Sequence, residues 1–343
     1  MEWRPAAVVR AVAVAVATAT GAAACLLAAL AHGTPSAVAA VAGEAPAMAP
    51  GVAPEVASVT VTDDRGQAVS LPRPARRVVA LSPALAELAF AAGGGDRLVA
   101  VVTGSDHPPP ARALPRIGDS SGLSVEAILA ARPELVLAWD GGNDPRPLAS
   151  LRRLGIPVYL SRIETLEGIA TTLERLGRLL GSDGAAAARD FRRRLARMGP
   201  AGQGAEAPVR VFYQVWEEPL MTINGRHWIS DLIERCGGTN LFGERPELVP
   251  RIGLEAVVAA APQAILAAGH GSAGGPDPFQ RWRRFPGIPA VADDFLFLVD
   301  GDGVSQTTPR TLDAGEAICR HLDQVRIRVR GAGCDRAGSC PGR

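Results

Sequence analysis

Ser124-Val125-Glu126-Ala127-Ile128-Leu129-Ala130-Ala131-Arg132-Pro133-Glu134-Leu135-Val136-Leu137-Ala138 has a gap-free counterpart in Gly253-Leu254-Glu255-Ala256-Val257-Val258-Ala259-Ala260-Ala261-Pro262-Gln263-Ala264-Ile265-Leu266-Ala267. Each copy reads as a helix, a Pro-containing turn and an apolar strand, and recurrence of one such unit marks a duplicated architecture. A glutamate, Glu126 or Glu255, opens the first helical turn of each copy. A carboxylate is favourable there by about 0.3–1 kcal/mol. Two equivalent negative points also suit a pseudo-symmetric partner.

Outward from the first copy, Val78 to Leu81, Leu98 to Val102, Leu135 to Trp139 and Val158 to Leu160 are expected as buried strands. Ala84 to Ala92, Val125 to Ala131 and Leu148 to Leu154 are expected as helices between them. A hairpin, Ser58 to Val61 and Ala68 to Leu71, precedes them around Asp63-Asp64-Arg65-Gly66. Leu166, Ile169, Leu173, Leu176 and Leu180 recur at helical spacing, and a second helix, Asp183 to Met198, closes at Gly199-Pro200. Around the second copy, Val209 to Gln214, Ala264 to Ala268 and Leu296 to Val299 are expected strands, with helices at Ile229 to Cys236, Leu254 to Ala260 and Leu312 to Val325. Such alternation predicts an α/β fold of two similar lobes with mainly parallel sheets, joined by a single long helix. The expected division is a signal peptide at 1–43, a disordered linker at 44–56, an N-terminal lobe at 57–182, a bridging helix at 183–199, a C-terminal lobe at 200–325 and a disordered basic tail at 326–343.

At 343 residues and 47% hydrophobic content, the chain has enough apolar surface for such lobes. Its 36 basic and 35 acidic side chains leave a net charge of +1, no excess with which to neutralise nucleic acid. No Lys occurs, which removes Walker A loops and Schiff-base chemistry. Arg4 and Arg10 precede a run from Ala11 to Gly43 with basic start, apolar middle and small-residue end, the order of an export signal with cleavage near Ala37-Val38-Ala39. An uncleaved anchor and lipidation at Cys25 are the alternatives. Export places the remaining cysteines in an oxidising space. Cys236 and Cys319 are expected to pair, with buried free thiols as the alternative; Cys334 and Cys340 fall in the tail.

Catalytic signatures fail on context. Gly118-Asp119-Ser120-Ser121-Gly122 matches a nucleophile elbow, but prolines stand where its strand is required. Gly269-His270-Gly271-Ser272-Ala273-Gly274 is followed by Gly275-Pro276 where a phosphate-facing helix should start. His107, His227, His270 and His321 have no metal-ligand spacing. Export and two lobes therefore point to a binding protein, with a ligand in the cleft. The expectation is no catalysis and no resident metal or cofactor.

The chain resembles the periplasmic cobalamin-binding proteins of ABC transporters, within the helical-backbone class (class III) that also binds haem and ferric siderophores. The resemblance runs from about Arg77 to Val325. It rests on Val78-Val79-Ala80-Leu81-Ser82-Pro83-Ala84, Glu87-Leu88-Ala89-Phe90-Ala91-Ala92-Gly93, Ser105-Asp106-His107-Pro108-Pro109, Ala138-Trp139-Asp140-Gly141-Gly142-Asn143, Cys236-Gly237-Gly238-Thr239-Asn240 and Thr308-Pro309-Arg310. It implies that Glu126 and Glu255 dock on permease arginines, that Cys236 and Cys319 form a disulfide, and that Asp183 to Met198 is a rigid lobe-bridging helix. For the cleft it implies Trp139 beside the ligand and an acidic contact at Asp302. His107 stands at a family tyrosine position. Ser120, Arg251 and Gln306 stand where well-known members carry tryptophan, tryptophan and arginine. Tyr213 and Trp216 are candidates to replace the missing aromatic surface. The expected function is capture of cobalamin or a related corrinoid by a periplasmic monomer and its delivery to inner-membrane ABC permease subunits. A haem or siderophore receptor is the alternative, and a hydrolase acting through Ser120 the distant one.

Overall fold

Val78, Ala80, Leu135 and Leu137 bury themselves in one apolar cluster, while Val79, Leu81, Val136 and Ala138 bury themselves in another. Side chains alternate across a strand, so strands apolar on both faces belong to a sheet covered on both sides. The computed structural model, which describes residues 58–119, 122–199, 207–269 and 277–337, contains that sheet and a second of the same design.

The first half runs β1 (Val59–Thr62), β2 (Ala68–Leu71), β3 (Val78–Ala80), α1 (Pro83–Ala91), β4 (Leu98–Val101), β5 (Gly118–Asp119), β6 (Gly122–Leu123), α2 (Val125–Ala130), β7 (Leu135–Trp139), α3 (Pro145–Arg153), β8 (Val158–Ser161), α4 (Leu166–Leu180) and α5 (Gly184–Arg197). The second runs β9 (Val209–Gln214), α6 (Trp228–Arg235), β10 (Gly238–Asn240), α7 (Leu254–Ala260), β11 (Ala264–Gly269), α8 (Pro289–Ala292), β12 (Leu296–Asp300), α9 (Gly301–Ser305) and α10 (Thr311–Ala337). The sheets are ordered β4-β3-β7-β8 and β10-β9-β11-β12, parallel throughout. In both, the first strand in sequence lies between the second and the third, with the fourth outside the third. The topology is duplicated, and the sequence repeat is its third strand with the preceding helix.

The duplication extends to an unusual turn. Arg132 and Ala261 take left-handed conformations, with φ of 47° and 46°, each just before the proline that starts the turn. Side chains of this kind avoid that region at a cost of roughly 1–2 kcal/mol. In each half an arginine from the neighbouring strand region holds the turn by its carbonyls: Arg77 donates to the carbonyls of Arg132 at 3.0 Å and Ala131 at 2.6 Å, and Arg210 to that of Ala261 at 2.9 Å. Those contacts satisfy carbonyls that a helix end leaves open.

The expected helix Asp183–Met198 is α5, with Asp183 as its N-cap, accepting from the Ala186 amide at 2.9 Å. It lies against α4 at a distance only glycine permits: a Cβ on Gly184 would fall 2.1 Å from the Leu173 carbonyl oxygen. Its far end meets the second half, where Arg194 pairs with Asp313 at 2.5 Å and Glu316 at 3.2 Å on α10. One apolar cluster accordingly runs from Leu173 and Leu176 through Phe191 and Leu195 to Leu312 and Ile318. All described residues belong to one unit, 54–343. Cys236, at the end of α6, is disulfide-bonded to Cys319 on α10, with Cα atoms 4.6 Å apart.

Two expectations need correction. The last helix does not end at Val325, and residues 326–337, expected as disordered, continue α10. No proline in 326–337 stops a helix that already has a packed nucleus, and Arg326 ties the extension to Asp323 and to the Cys236 carbonyl. The three-residue β10 and five-residue α9 were not foreseen, because Gly-Thr-Asn and Gly-Asp-Gly-Val-Ser carry no apolar periodicity. The export segment, Cys25, Cys340 and the linker lie outside the described residues, as does the side chain of Cys334.

Candidate functional site

Parallel sheets present ligands with the loops at the carboxyl ends of their strands. The ends of β3, β7 and β8 supply Ser82, Trp139 to Gly141, and Ser161 to Glu164, and the second half supplies His227 and Trp228, Leu248 and Val249, and Ser305 to Thr307. Together they bound a cleft of about 450 Å³ between the two halves. This is within the ordinary size of small-molecule sites.

Trp139 is the most exposed large apolar group in that cleft, at 53%. Its position is built by the residues that follow it. Asn143 accepts from the Trp139 amide at 2.7 Å and donates to the Leu81 carbonyl at 2.9 Å, tying this loop to the end of the neighbouring strand. Gly141 turns the chain with φ of 93°, a conformation glycine adopts freely. Gly142 lies directly under the indole, where a Cβ would come 1.8 Å from Cε3. The Trp-Asp-Gly-Gly-Asn block is therefore a support for one aromatic face.

Asp140, next in sequence, has a side chain only 4% exposed. It accepts from Arg65 Nε at 2.9 Å and from Arg162 Nε at 3.0 Å. Its hydrogen bond from Arg65, with the charge of Arg162 adding to it, holds the carboxyl below the usual range. The hairpin β1–β2 is thus tied to the cleft wall, and the Asp64 amide also donates to the Leu160 carbonyl at 3.0 Å. On the opposite wall His227 caps α6, its Nδ1 accepting from the Ile229 amide at 3.2 Å, and its ring lies 3.8 Å from that of Trp228. Burial lowers the His227 pKa to about 4. Trp228 Nε1 donates to the Val304 carbonyl at 3.0 Å, which leaves the indole half-buried beside Ser305.

A bidentate ion pair joins the halves near the cleft. Arg310, just before α10, donates to Glu87 of α1 through Nε at 2.9 Å and Nη2 at 2.7 Å. The Glu87 side chain is 6% exposed and that of Arg310 23%. Both come from blocks singled out by sequence, Glu87-Leu88 and Thr308-Pro309-Arg310, which had no stated role.

Of the ligand residues expected from sequence, the structure puts Trp139 and Gln306 in the cleft. His107 and Asp302 are exposed but outside the set that bounds it. Trp216 and Arg251 share a short ladder through Met221, also outside that set, and both are exposed. Tyr213 is a correction: it is buried on the face of β9 shared with Val209 and Val211, so it packs in the core and offers no surface to a ligand. Ser120 lies outside the described residues. Glu126 and Glu255 both occupy the second position of their helices, exposed, as the repeat requires. The Glu126 carboxyl is held below its ordinary range by its own amide and the Ser124 hydroxyl. His227 and Trp228 were missed; the only signal for them was two aromatic rings at the start of an expected helix.

The chain belongs to the periplasmic binding protein family, which it matches over residues 78–302, and it has the two-lobed, helix-bridged architecture of class III. It is 39% identical over 254 residues to the vitamin B12-binding protein of Vibrio cholerae, an alignment covering 73% of this chain and 90% of that protein. The crystal structure of the periplasmic vitamin B12 binding protein BtuF of Vibrio cholerae is similar at a TM-score of 0.63 and 37% identity, over 74% of this chain and 98% of that one. The periplasmic heme-binding protein BhuT in complex with two hemes is similar at a TM-score of 0.62 and 26% identity, over 73% and 98%.

Proposed function

We propose that this chain is a periplasmic receptor that captures cobalamin or a related corrinoid in the cleft between its lobes and hands it to an inner-membrane ABC importer. The observation that carries this reading is the 39% identity to a vitamin B12-binding protein along 90% of its length. The cleft is compatible with it: Trp139 offers a flat apolar face to a corrin, while Ser82, Ser305, Gln306 and Thr307 offer neutral hydrogen-bonding groups to its peripheral amides. The protein acts without chemistry on its ligand, as a monomer whose lobes, 57–182 and 200–325, are joined by the helix α5, with cobalamin as cargo.

Glu126 and Glu255 are the docking points on the permease, a reading supported by their equivalent positions in the repeat and their exposure. Cobalamin uptake by cells whose only copy is the Glu126→Arg/Glu255→Arg variant tests both parts of this reading. Loss of uptake with cobalamin affinity intact is expected. Full uptake removes the docking role, and absence of a cobalamin phenotype in the deletion strain removes the receptor role. The heme-binding neighbour BhuT favours a second reading, a haem receptor, for which the described residues of the cleft offer one imidazole, that of His227.

A further inference from the structure

His227 is the only imidazole among the described residues bounding the cleft, and no tyrosine, cysteine or methionine joins it. The residue is 7% exposed, and its ring is held in place from two sides, by Trp228 and by the Ile229 amide. That second contact determines its chemistry. An Nδ1 that accepts a hydrogen bond carries no proton, so a neutral ring bears its proton on Nε2. Burial keeps the ring neutral, with a pKa lowered to about 4. Nε2 has no hydrogen-bond partner among the described residues, on a ring that lines the cleft.

The geometry points to His227 as a specificity-determining hydrogen-bond donor, whose Nε2–H engages a carbonyl or amide oxygen on the rim of the ligand and does not bind the ligand's metal. Axial coordination through Nε2 would require moving the proton to Nδ1, against the Ile229 amide, and so would cost the cap of α6. The remaining free polar groups of the same wall, on Ser305, Gln306 and Thr307, are neutral as well. Across the cleft, the cationic group among the described lining residues, Arg162, is half exposed and gives Asp140 one hydrogen bond through Nε at 3.0 Å. The wall thus suits a metallomacrocycle whose axial positions are already filled and whose periphery carries amides. It does not suit an open-coordination metalloporphyrin, whose metal would require Nε2 without its proton. This inference rests on the corrinoid reading above and deepens it.

Two measurements on the full protein test it. Nitrogen-15 NMR of histidine-labelled protein reads the tautomer without any ligand: the Nε2–H form at residue 227, identified by its loss in His227→Asn, is expected, and the Nδ1–H form overturns the proposal. Titration with cyanocobalamin and ferric haem, followed by calorimetry and visible spectra, reads the role. Asn retains a cap acceptor, but its amide donor ends short of the position that Nε2 reaches, so His227→Asn should bind cyanocobalamin about tenfold more weakly, the scale of one lost hydrogen bond. An unchanged affinity overturns the proposal. A histidine-ligated haem spectrum in the wild type that vanishes in His227→Asn also overturns it, while no such spectrum supports it. Absence of cyanocobalamin binding by the wild type defeats the receptor reading instead, and the tautomer and haem results still decide the role of His227.

Discussion

Replacing Trp139 by alanine removes the most exposed aromatic face among the described residues of the cleft. A tryptophan presents about 150–250 Å², and 53% of this one is exposed, so roughly 80–130 Å² is available for a ligand to cover. At about 25 cal/mol per Å² that area is worth roughly 2–3 kcal/mol if fully covered. A macrocycle lying on one side of the indole covers about half, so affinity should fall between about five- and fifteen-fold. The assay is calorimetric titration with cyanocobalamin, with thermal denaturation as a control. Stability should be nearly unchanged, because the ring leaves the core untouched. Trp139→Phe should recover part of the loss, since it restores a smaller flat ring. A Trp139→Ala protein that binds within twofold of wild type refutes the placement of the ligand on this face.

Other outcomes follow from the same geometry. Gly142→Ala puts a methyl group 1.8 Å from Trp139 Cε3, so the indole must leave its place and titration should show affinity falling toward the Trp139→Ala value. Arg310→Met strands the buried Glu87 carboxylate and should cost about 3–5 kcal/mol, which denaturation would register as a fall of roughly 6–20 °C in Tm; adding Glu87→Leu should recover most of it, and a single variant as stable as wild type contradicts the inter-lobe role. His227, whose pKa burial lowers to about 4, makes the unfolded chain the better proton binder between its ordinary value near 6.5 and that point. Its contribution is therefore complete above about pH 6.5 and lost as pH falls through the window, by roughly 3 kcal/mol in total; His227→Asn should flatten this part of the Tm profile between pH 7 and 4.5. Opening the Cys236–Cys319 disulfide, which spans 83 residues, should cost on the order of 4 kcal/mol, checked by denaturation of Cys236→Ser/Cys319→Ser against wild type.

The strands and helices were legible because both sheets are apolar on both faces and punctuated by glycine and proline. Val78 to Leu81, Leu135 to Trp139 and Val209 to Gln214 each fall within a residue of the strands observed. The same property hid the orientation of Tyr213. On a strand buried from both sides, the pattern carries no sign of which face meets a core and which end meets a cleft. The cleft itself is assembled from loops near residues 82, 139, 161, 227, 248 and 305, whose proximity only the folded chain establishes. Trp139 could be found because its support, Gly141 to Asn143, is local in sequence. His227 could not, since its meaning lies in a tautomer fixed by the Ile229 amide. Glu87 and Arg310 stood in separate blocks with no hint that they meet. The tail failed for a simpler reason: Arg-rich sequence without an apolar stripe resembles a disordered segment, yet here it extends a helix begun by packed residues.

The most direct test of the central claim is calorimetric titration of the purified protein with cyanocobalamin. Submicromolar binding at one ligand per chain, weakened by Trp139→Ala, is the expected result. No heat with cyanocobalamin, together with saturable binding of ferric haem or a ferric siderophore, would keep the two-lobed receptor and contradict the corrinoid as its ligand.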